Sequence, residues 1–231
     1  MANSYTRIKE GTIVIMRETE LVEIITDYLD RHRIRYSKEI RMGIGVPDIS
    51  INIGASQSIP LISDYYLLSL AEYISEKGRT TICELSEYFS FDKSKTQSYL
   101  NQLLQQDIIV QTNNVIRKNR KIFGLNLGKT ISIEAKIKDW KSGILQAERY
   151  LMFSDYSYLA LPEEKIRNVN MDELTQGGIG LIAVKKDGLD ELVKPILSHE
   201  CEYKQKYMIT SSIIKSNDVK KRKADGIFSD L

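Results

Sequence analysis

Apolar positions in the first part of the chain change from a helical period to a period of two. Residues 17–33 carry apolar side chains at helical spacing, and residues 34–41 are typical of a strand. In residues 48–53 apolar and polar positions alternate strictly, which predicts a half-buried strand. Its polar face begins with the carboxylate of Asp48. This block therefore predicts one helix followed by two strands.

A block of different character follows the linker-like residues 54–60. Its predicted elements are helices at 64–77, 81–89 and 92–106, a strand at 108–112 and a return strand from about residue 115 that leads into a basic loop. Three helices followed by two strands is the order of a winged helix-turn-helix. We expect residues 57–127 to form such a domain, inserted into the chain. A small helical protein-interaction module has the same order and stays open as an alternative.

The period of two returns after this block. Residues 130–137 alternate, so that Glu134 and Lys136 share the polar face of a strand. The pattern then predicts a helix at 140–153, strands at 156–161 and 179–185, a short helix after Pro162 and a helix at 187–197. The expected fold class is α/β, with a mixed sheet flanked by helices in residues 1–56 and 128–200. Residues 201–231 are expected to form a basic C-terminal tail.

Composition narrows the class of protein. The 231 residues are 42% hydrophobic and 28% charged, which excludes disordered, collagen-like and coiled-coil chains. The apolar runs are too short to span a bilayer, and residues 1–10 lack the apolar core of a secretory signal. Two cysteines without metal-ligand spacing are compatible with a reducing compartment. We therefore expect no membrane partner and a cytoplasmic location.

Charge is concentrated in two places, although the chain as a whole carries only +2. Residues 92–129 contain seven Lys or Arg and two acids. Residues 215–223 contain five Lys or Arg and one acid. Basic patches on a nearly neutral chain favour a polyanionic partner, with a solvated surface as the bland alternative. The residues expected to contact DNA lie on the third helix and the wing: Lys93, Ser94, Lys95, Gln97, Ser98, Asn101, Asn114, Arg117, Lys118 and Arg120.

The two alternating strands suggest a shared chemical site. If they are neighbours, Asp48, Glu134 and Lys136 meet on one face. Two carboxylates with water and phosphate oxygens form a site that suits Mg²⁺, with Mn²⁺ as a substitute. Such an ion can activate water for attack on a phosphodiester, and a lysine can stabilise charge on phosphorus. Asp48 and Glu134 are therefore the expected metal ligands.

Pro47-Asp48 followed by Glu134-Ala135-Lys136 resembles the motif of the PD-(D/E)XK nuclease superfamily, which has a restriction-endonuclease-like core. The resemblance covers residues 17–53 and 130–197. About 85 residues separate its two halves, which is much more than a hairpin needs, and the inserted domain accounts for nearly all of them.

The resemblance implies roles for further residues. Many members of the superfamily have a glutamate at the start of the first helix. Glu18 occupies that position as an assisting catalytic residue, with Glu20 as the alternative. Gln146 and Tyr150 match the QxxxY pattern of a group similar to recombination exonucleases. The resemblance implies that these two residues bind substrate, and we expect Lys141 on the same helix to contact the substrate phosphate.

The sequence thus predicts a Mg²⁺-dependent deoxyribonuclease guided by a winged helix, acting in restriction, defence or DNA processing in a prokaryote or phage. The expected partners are DNA, a second copy of the chain in a homodimer, and a protein bound through the winged helix. The alternative is a non-catalytic DNA-binding regulator that uses the nuclease-like core as a scaffold. Metal-dependent cleavage would distinguish the two functions.

Overall fold

The computed structural model describes residues 17–56, 58–216 and 226–228, together with the backbone of two short strands before residue 15. The basic run at 220–223 lies outside the described residues. The chain divides into two compact units, one of residues 1–55 and 127–231 and one of residues 56–126. The second unit begins and ends one residue before the range expected for the inserted domain.

The elements are as follows. The helices are α1 (Glu18–Arg31), α2 (Tyr65–Lys77), α3 (Ile82–Tyr88), α4 (Lys93–Gln105), α5 (Trp140–Tyr150), α6 (Met171–Gln176) and α7 (Tyr203–Ser216), with a 3-10 helix at Glu163–Asn168. The strands are β1 (Arg7–Lys9), β2 (Thr12–Val14), β3 (Arg35–Lys38), β4 (Ile49–Ile53), β5 (Ile109–Thr112), β6 (Val115–Lys118), β7 (Lys129–Ala135), β8 (Tyr156–Pro162), β9 (Gly180–Val184) and β10 (Leu189–Val193).

The first unit is built on a six-stranded mixed sheet with the order β10-β9-β8-β7-β4-β3. The pairs β7–β8 and β8–β9 are parallel, and the other pairs are antiparallel. Strands β4 and β7 are neighbours although 75 residues lie between them, and Ile49 pairs with Ile133. This register brings the residue before Ile49 alongside the residue after Ile133.

One face of the sheet packs against α1. The inward side chains of β4 and β7 are fully buried there, together with the apolar stripe of the helix: Leu21, Ile25, Leu29, Ile49, Ile51, Ile131 and Ile133. The predicted alternation thus correctly identifies this core face.

The polar face of the same strands is buried as well, which corrects the prediction of half-buried strands. Ser50, Ser132 and Glu134 are at most 2% exposed. Helices α5 and α7 cover this face. Helix α7 also corrects the expected tail, because residues 203–216 pack on the sheet with Tyr207, Ile209 and Ile213 buried.

The prediction of a helix at 187–197 is wrong. Residues Leu189–Val193 form the edge strand β10, which pairs antiparallel with β9. The apolar spacing there fits either period, and the open edge of β9 offers backbone hydrogen bonds that decide in favour of the strand.

The second unit contains α2, α3 and α4 and the hairpin of β5 and β6. Asp64, Thr81 and Asp92 each accept a hydrogen bond from a backbone amide at a helix start, which explains where the three helices begin. Leu68, Leu100, Leu103 and Ile116 fill its interior.

Candidate functional site

Asp48 and Glu134 come together at the end of β7. Asp48 directly precedes β4, and its Oδ2 accepts a hydrogen bond of 2.7 Å from the backbone amide of Ala135. Glu134 is the residue before that amide, on the side of the sheet that α5 covers. The register between β4 and β7 thus places the two carboxylates beside each other.

Both carboxylate oxygens of Glu134 have a donor. Lys136 Nζ lies 2.5 Å from Oε1, and the hydroxyl of Tyr150 donates to Oε2 at 2.6 Å. Glu134 is only 2% exposed, so these donors replace the water that would otherwise solvate it. Lys136 and Glu134 share a face because they are two residues apart.

Glu18 joins this group from the first residue of α1. Its Oε1 accepts a hydrogen bond of 3.4 Å from the backbone amide of Ile137, just beyond β7. The side chain is exposed, unlike Glu134. All four residues predicted for the catalytic group therefore lie around one end of β7: Glu18, Asp48, Glu134 and Lys136.

Negative charge is in excess in this group, with three carboxylates and one lysine. Burial and then the charge of Glu134 raise the pKa of Asp48 to about 6, although the Ala135 amide and Lys136 oppose the shift. Burial lowers the pKa of Lys136, but its hydrogen bond to Glu134 and the three acids together raise it above the ordinary lysine value. The three acids thus favour the charged form of Lys136 in the metal-free site.

The donor set suits a hard divalent cation. Among residues 17–56, 58–216 and 226–228, no three His, Cys, Asp or Glu side chains are arranged to hold a metal ion between them. Mg²⁺ commonly uses only one or two protein carboxylates and completes its shell with water and phosphate oxygens. Asp48 and Glu134 meet that lower requirement, and burial together with the charge of Glu134 raises the pKa of Asp48.

Tyr150 occupies a different position from the one expected of a substrate ligand. It is 1% exposed, and its hydroxyl also contacts the carbonyl of Val46 at 3.1 Å. Burial and the hydrogen bond to Glu134 raise the pKa of Tyr150 far above its ordinary value, so it stays a donor. The structure thus places Tyr150 between Glu134 and the loop before Asp48, where it orients both.

The other two residues predicted to bind substrate are not part of this group. Gln146 is half-buried and accepts a hydrogen bond of 3.5 Å from Ser142. Lys141 is exposed and lines a surface pocket with Leu145 and Glu148. It precedes Tyr150 by nine residues, so the two side chains point to opposite sides of the helix. The prediction overlooked this phase difference.

Sequence reasoning missed the role of Gly143. A Cβ at this position would lie 2.9 Å from Cγ of Lys136 and 2.6 Å from Cδ1 of Leu159. The absent side chain thus leaves room for the lysine stem beneath α5. A glycine inside a predicted helix is the signal that could have identified this position.

The residues predicted to contact DNA are mostly on the surface of the second unit. All ten are exposed except Gln97, which is half-buried and donates to Asn101 at 2.9 Å. Lys95 stacks over the ring of Phe91 at 4.1 Å. The guanidinium of Arg120 donates to the carbonyl of Ser58. The third helix and the hairpin therefore present polar and basic side chains to solvent.

Comparison with known proteins assigns no family to this chain. No family model matches the sequence, and no curated protein or solved structure is significantly similar to it. Within the described part of the chain, no helix has both the length and the apolar character needed to cross a membrane. The arguments for function therefore rest on the geometry of the site.

Proposed function

We propose that this protein is a metal-dependent deoxyribonuclease that hydrolyses phosphodiester bonds. The observation that carries the proposal is the meeting of Asp48, Glu134 and Lys136 at one end of β7, with Glu18 beside them. A purely structural site would balance these charges, whereas this group keeps three acids around one cation. The arrangement also supports the resemblance to the PD-(D/E)XK nucleases, for which we expect a restriction-endonuclease-like mixed sheet.

In the proposed reaction Asp48 and Glu134 would hold Mg²⁺. Bound Mg²⁺ would polarise the phosphodiester and lower the pKa of the attacking water. Lys136 donates hydrogen bonds and positive charge where negative charge builds up on phosphorus. Glu18 accepts a proton or a hydrogen bond from the water, and Tyr150 keeps Glu134 in its orientation. Lys136 acts as an electrostatic group, since its ammonium lies 2.5 Å from Glu134 and close to Asp48 and Glu18.

The second unit is proposed to be a winged helix that binds DNA. Its three helices and hairpin have the expected order, and the exposed face of α4 carries short polar and cationic side chains. Such side chains reach base edges, while Arg117 and Lys118 on the hairpin suit phosphates. A cutting unit and a DNA-binding unit in one chain favour a role in restriction, defence or DNA processing.

The test compares wild-type protein with Lys136→Ala on supercoiled, linear and single-stranded DNA, with Mg²⁺, Mn²⁺ or EDTA. We expect cleavage that requires the metal and falls about 10²- to 10³-fold in the variant, while DNA affinity is retained. Lys141→Ala is the matched control, because it removes an exposed lysine of α5 that lies away from the group.

Two results would contradict the proposal. Cleavage by Lys136→Ala at the wild-type rate would remove the site from the reaction. Sequence-selective binding without cleavage of any substrate, equal in Mg²⁺ and EDTA, would favour the non-catalytic regulator.

A further inference from the structure

The loop that leads into Asp48 is an ordered hairpin with an apolar tip. The amide of Glu39 donates to the carbonyl of Asp48 at 3.3 Å, and the amide of Met42 donates to the carbonyl of Gly45 at 3.0 Å. These bonds extend the β3–β4 hairpin past the sheet. Gly43 provides the positive φ of 78° that the turn requires.

Side chains of the first unit hold this hairpin in place. Met42 is 5% exposed and packs with Tyr150 and Phe153. The hydroxyl of Tyr150 binds the carbonyl of Val46, and the backbone of Gly45 lies close against the Tyr150 ring. The tip is therefore connected rigidly to the residue that also orients Glu134.

Two aliphatic side chains nevertheless remain in solvent at this tip. Ile44 is 40% exposed and Val46 is 43% exposed. Val46 lies two residues before Asp48, so it is within about 7 Å of that residue along the chain. The exposed cations Lys38 and Arg41 flank the tip, against a single acid, Glu39.

We propose that Ile44 and Val46 form a wedge that enters the base stack beside the phosphodiester to be cut. This inference rests on the proposed function. Aliphatic side chains that insert between base steps unstack and kink a duplex, and the neighbouring cations suit the phosphates on either side. Two partly exposed side chains are far too small for a stable protein interface, which buries about 800 Å² on each partner.

The wedge predicts a specific pattern of substrate preference. Wild-type protein opens the stack itself, whereas the variant Ile44→Ser must wait for the stack to open. We therefore expect kcat/KM on a fully paired duplex to fall about tenfold or more in Ile44→Ser. On the same sequence with mismatched bases at the cut site, kcat/KM should fall less than about threefold, because those bases are already unstacked.

The experiment uses the full chain with Mg²⁺ and both substrates. Leu192→Ser is the matched control, since Leu192 is 48% exposed on β10 at the opposite edge of the sheet. 2-Aminopurine fluorescence in a duplex bound by the Asp48→Ala protein gives a readout that is independent of cleavage. It should rise on binding, and the rise should be lost when Ile44→Ser is added.

Each other outcome overturns the wedge. Equal losses on both substrates would mean that Ile44 acts on folding or on general binding. A change from dimer to monomer in sedimentation would show that the tip contacts a second copy of the chain. Unchanged cleavage with unchanged fluorescence would show that the tip contacts no bases. If no DNA is cut by any protein, the proposed function itself fails, and the fluorescence then reports whether DNA unstacks at all.

Discussion

Two buried acid–lysine pairs lie at opposite ends of the same face of β7, and they differ in charge balance. At the start of the strand, Lys206 Nζ lies 2.7 Å from Oδ1 of Asp155, while Oδ2 accepts hydrogen bonds from the amide and the hydroxyl of Thr130 at 2.7 and 3.0 Å. One acid meets one base, and both carboxylate oxygens have donors. This pair connects α7 to the sheet.

At the end of the strand, three carboxylates act on one lysine, Lys136. Lys136 lies 2.5 Å from Glu134, but Asp48 and Glu18 also act on it electrostatically. Burial, and then the charge of Glu134, raise the pKa of Asp48 to about 6. A buried salt bridge alone therefore does not show whether a site is structural or functional. The count of opposing charges around it separates the structural pair from the candidate active site.

The largest expected effect on stability comes from removing each lysine with and without Mg²⁺. Lys206→Ala leaves Asp155 buried without its cation, which should lower the free energy of unfolding by about 3 kcal/mol. Mg²⁺ should restore little of this loss, because the neighbouring carboxylates that would help to hold the ion, Asp48 and Glu18, accompany Glu134 at the other end of the strand. Lys136→Ala should also be destabilised, but Mg²⁺ should restore a large part of its stability.

Urea unfolding of the two variants in Mg²⁺ and in EDTA measures this difference. Asp155→Asn combined with Lys206→Ala is the control, and it should recover part of the loss because no unpaired charge remains. Equal responses of both lysine variants to Mg²⁺ would remove the distinction between the two ends of β7.

The second effect concerns pH, through Asp48. Its folded pKa of about 6 lies above its ordinary value of 3.8, so between these values the folded protein holds a proton that the unfolded chain has lost. Stability in EDTA should therefore fall as pH rises through this window and stay lower above pH 6. Asp48→Asn carries no such charge and should be about 2 kcal/mol more stable than wild type at neutral pH.

Thermal unfolding across this pH range tests that expectation, with Glu164→Gln as a control for an exposed carboxylate. Parallel pH profiles of wild type and Asp48→Asn would show that the folded protein does not disfavour the ionised form of Asp48. The same substitution should remove the stabilisation of the wild type by Mg²⁺.

The smallest effect separates two buried tyrosines. Tyr150→Phe loses the hydrogen bonds to Glu134 and Val46 and should lower stability by about 1 kcal/mol. Because Glu134 is then less well oriented, cleavage should fall about tenfold or more. Tyr158→Phe is the matched control, since its hydroxyl donates to Glu191 at 2.5 Å. It should lose similar stability and keep full cleavage, and equal cleavage by both variants would contradict the role given to Tyr150.

Much of the fold was predictable because local patterns agreed with the tertiary structure. The alternation in residues 48–53 and 130–137 identified the core faces of β4 and β7. Cap residues fixed the starts of the helices in the second unit. The strand β10 was not predictable, because its apolar spacing fits either period and only the free edge of β9 selects the strand.

The candidate site was predictable in its residue types and only partly in their roles. The period of two placed Glu134 and Lys136 on one face, and the structure agrees. It did not show that this face would be buried, since the helices that cover it come from distant parts of the chain. The placement of Tyr150 on Glu134, and of Lys141 away from it, follows from how α5 packs on the sheet.

Which residues share a face therefore follows from the sequence alone, because the geometry of strands and helices is local. The sequence also contains the composition of the site: two carboxylates and a lysine on two alternating strands. The tertiary structure was needed to show that β4 and β7 are neighbours, that Glu134 is buried and that its charge acts on Asp48. Those properties depend on desolvation and on charges brought together across 86 positions of the chain, which no local pattern encodes.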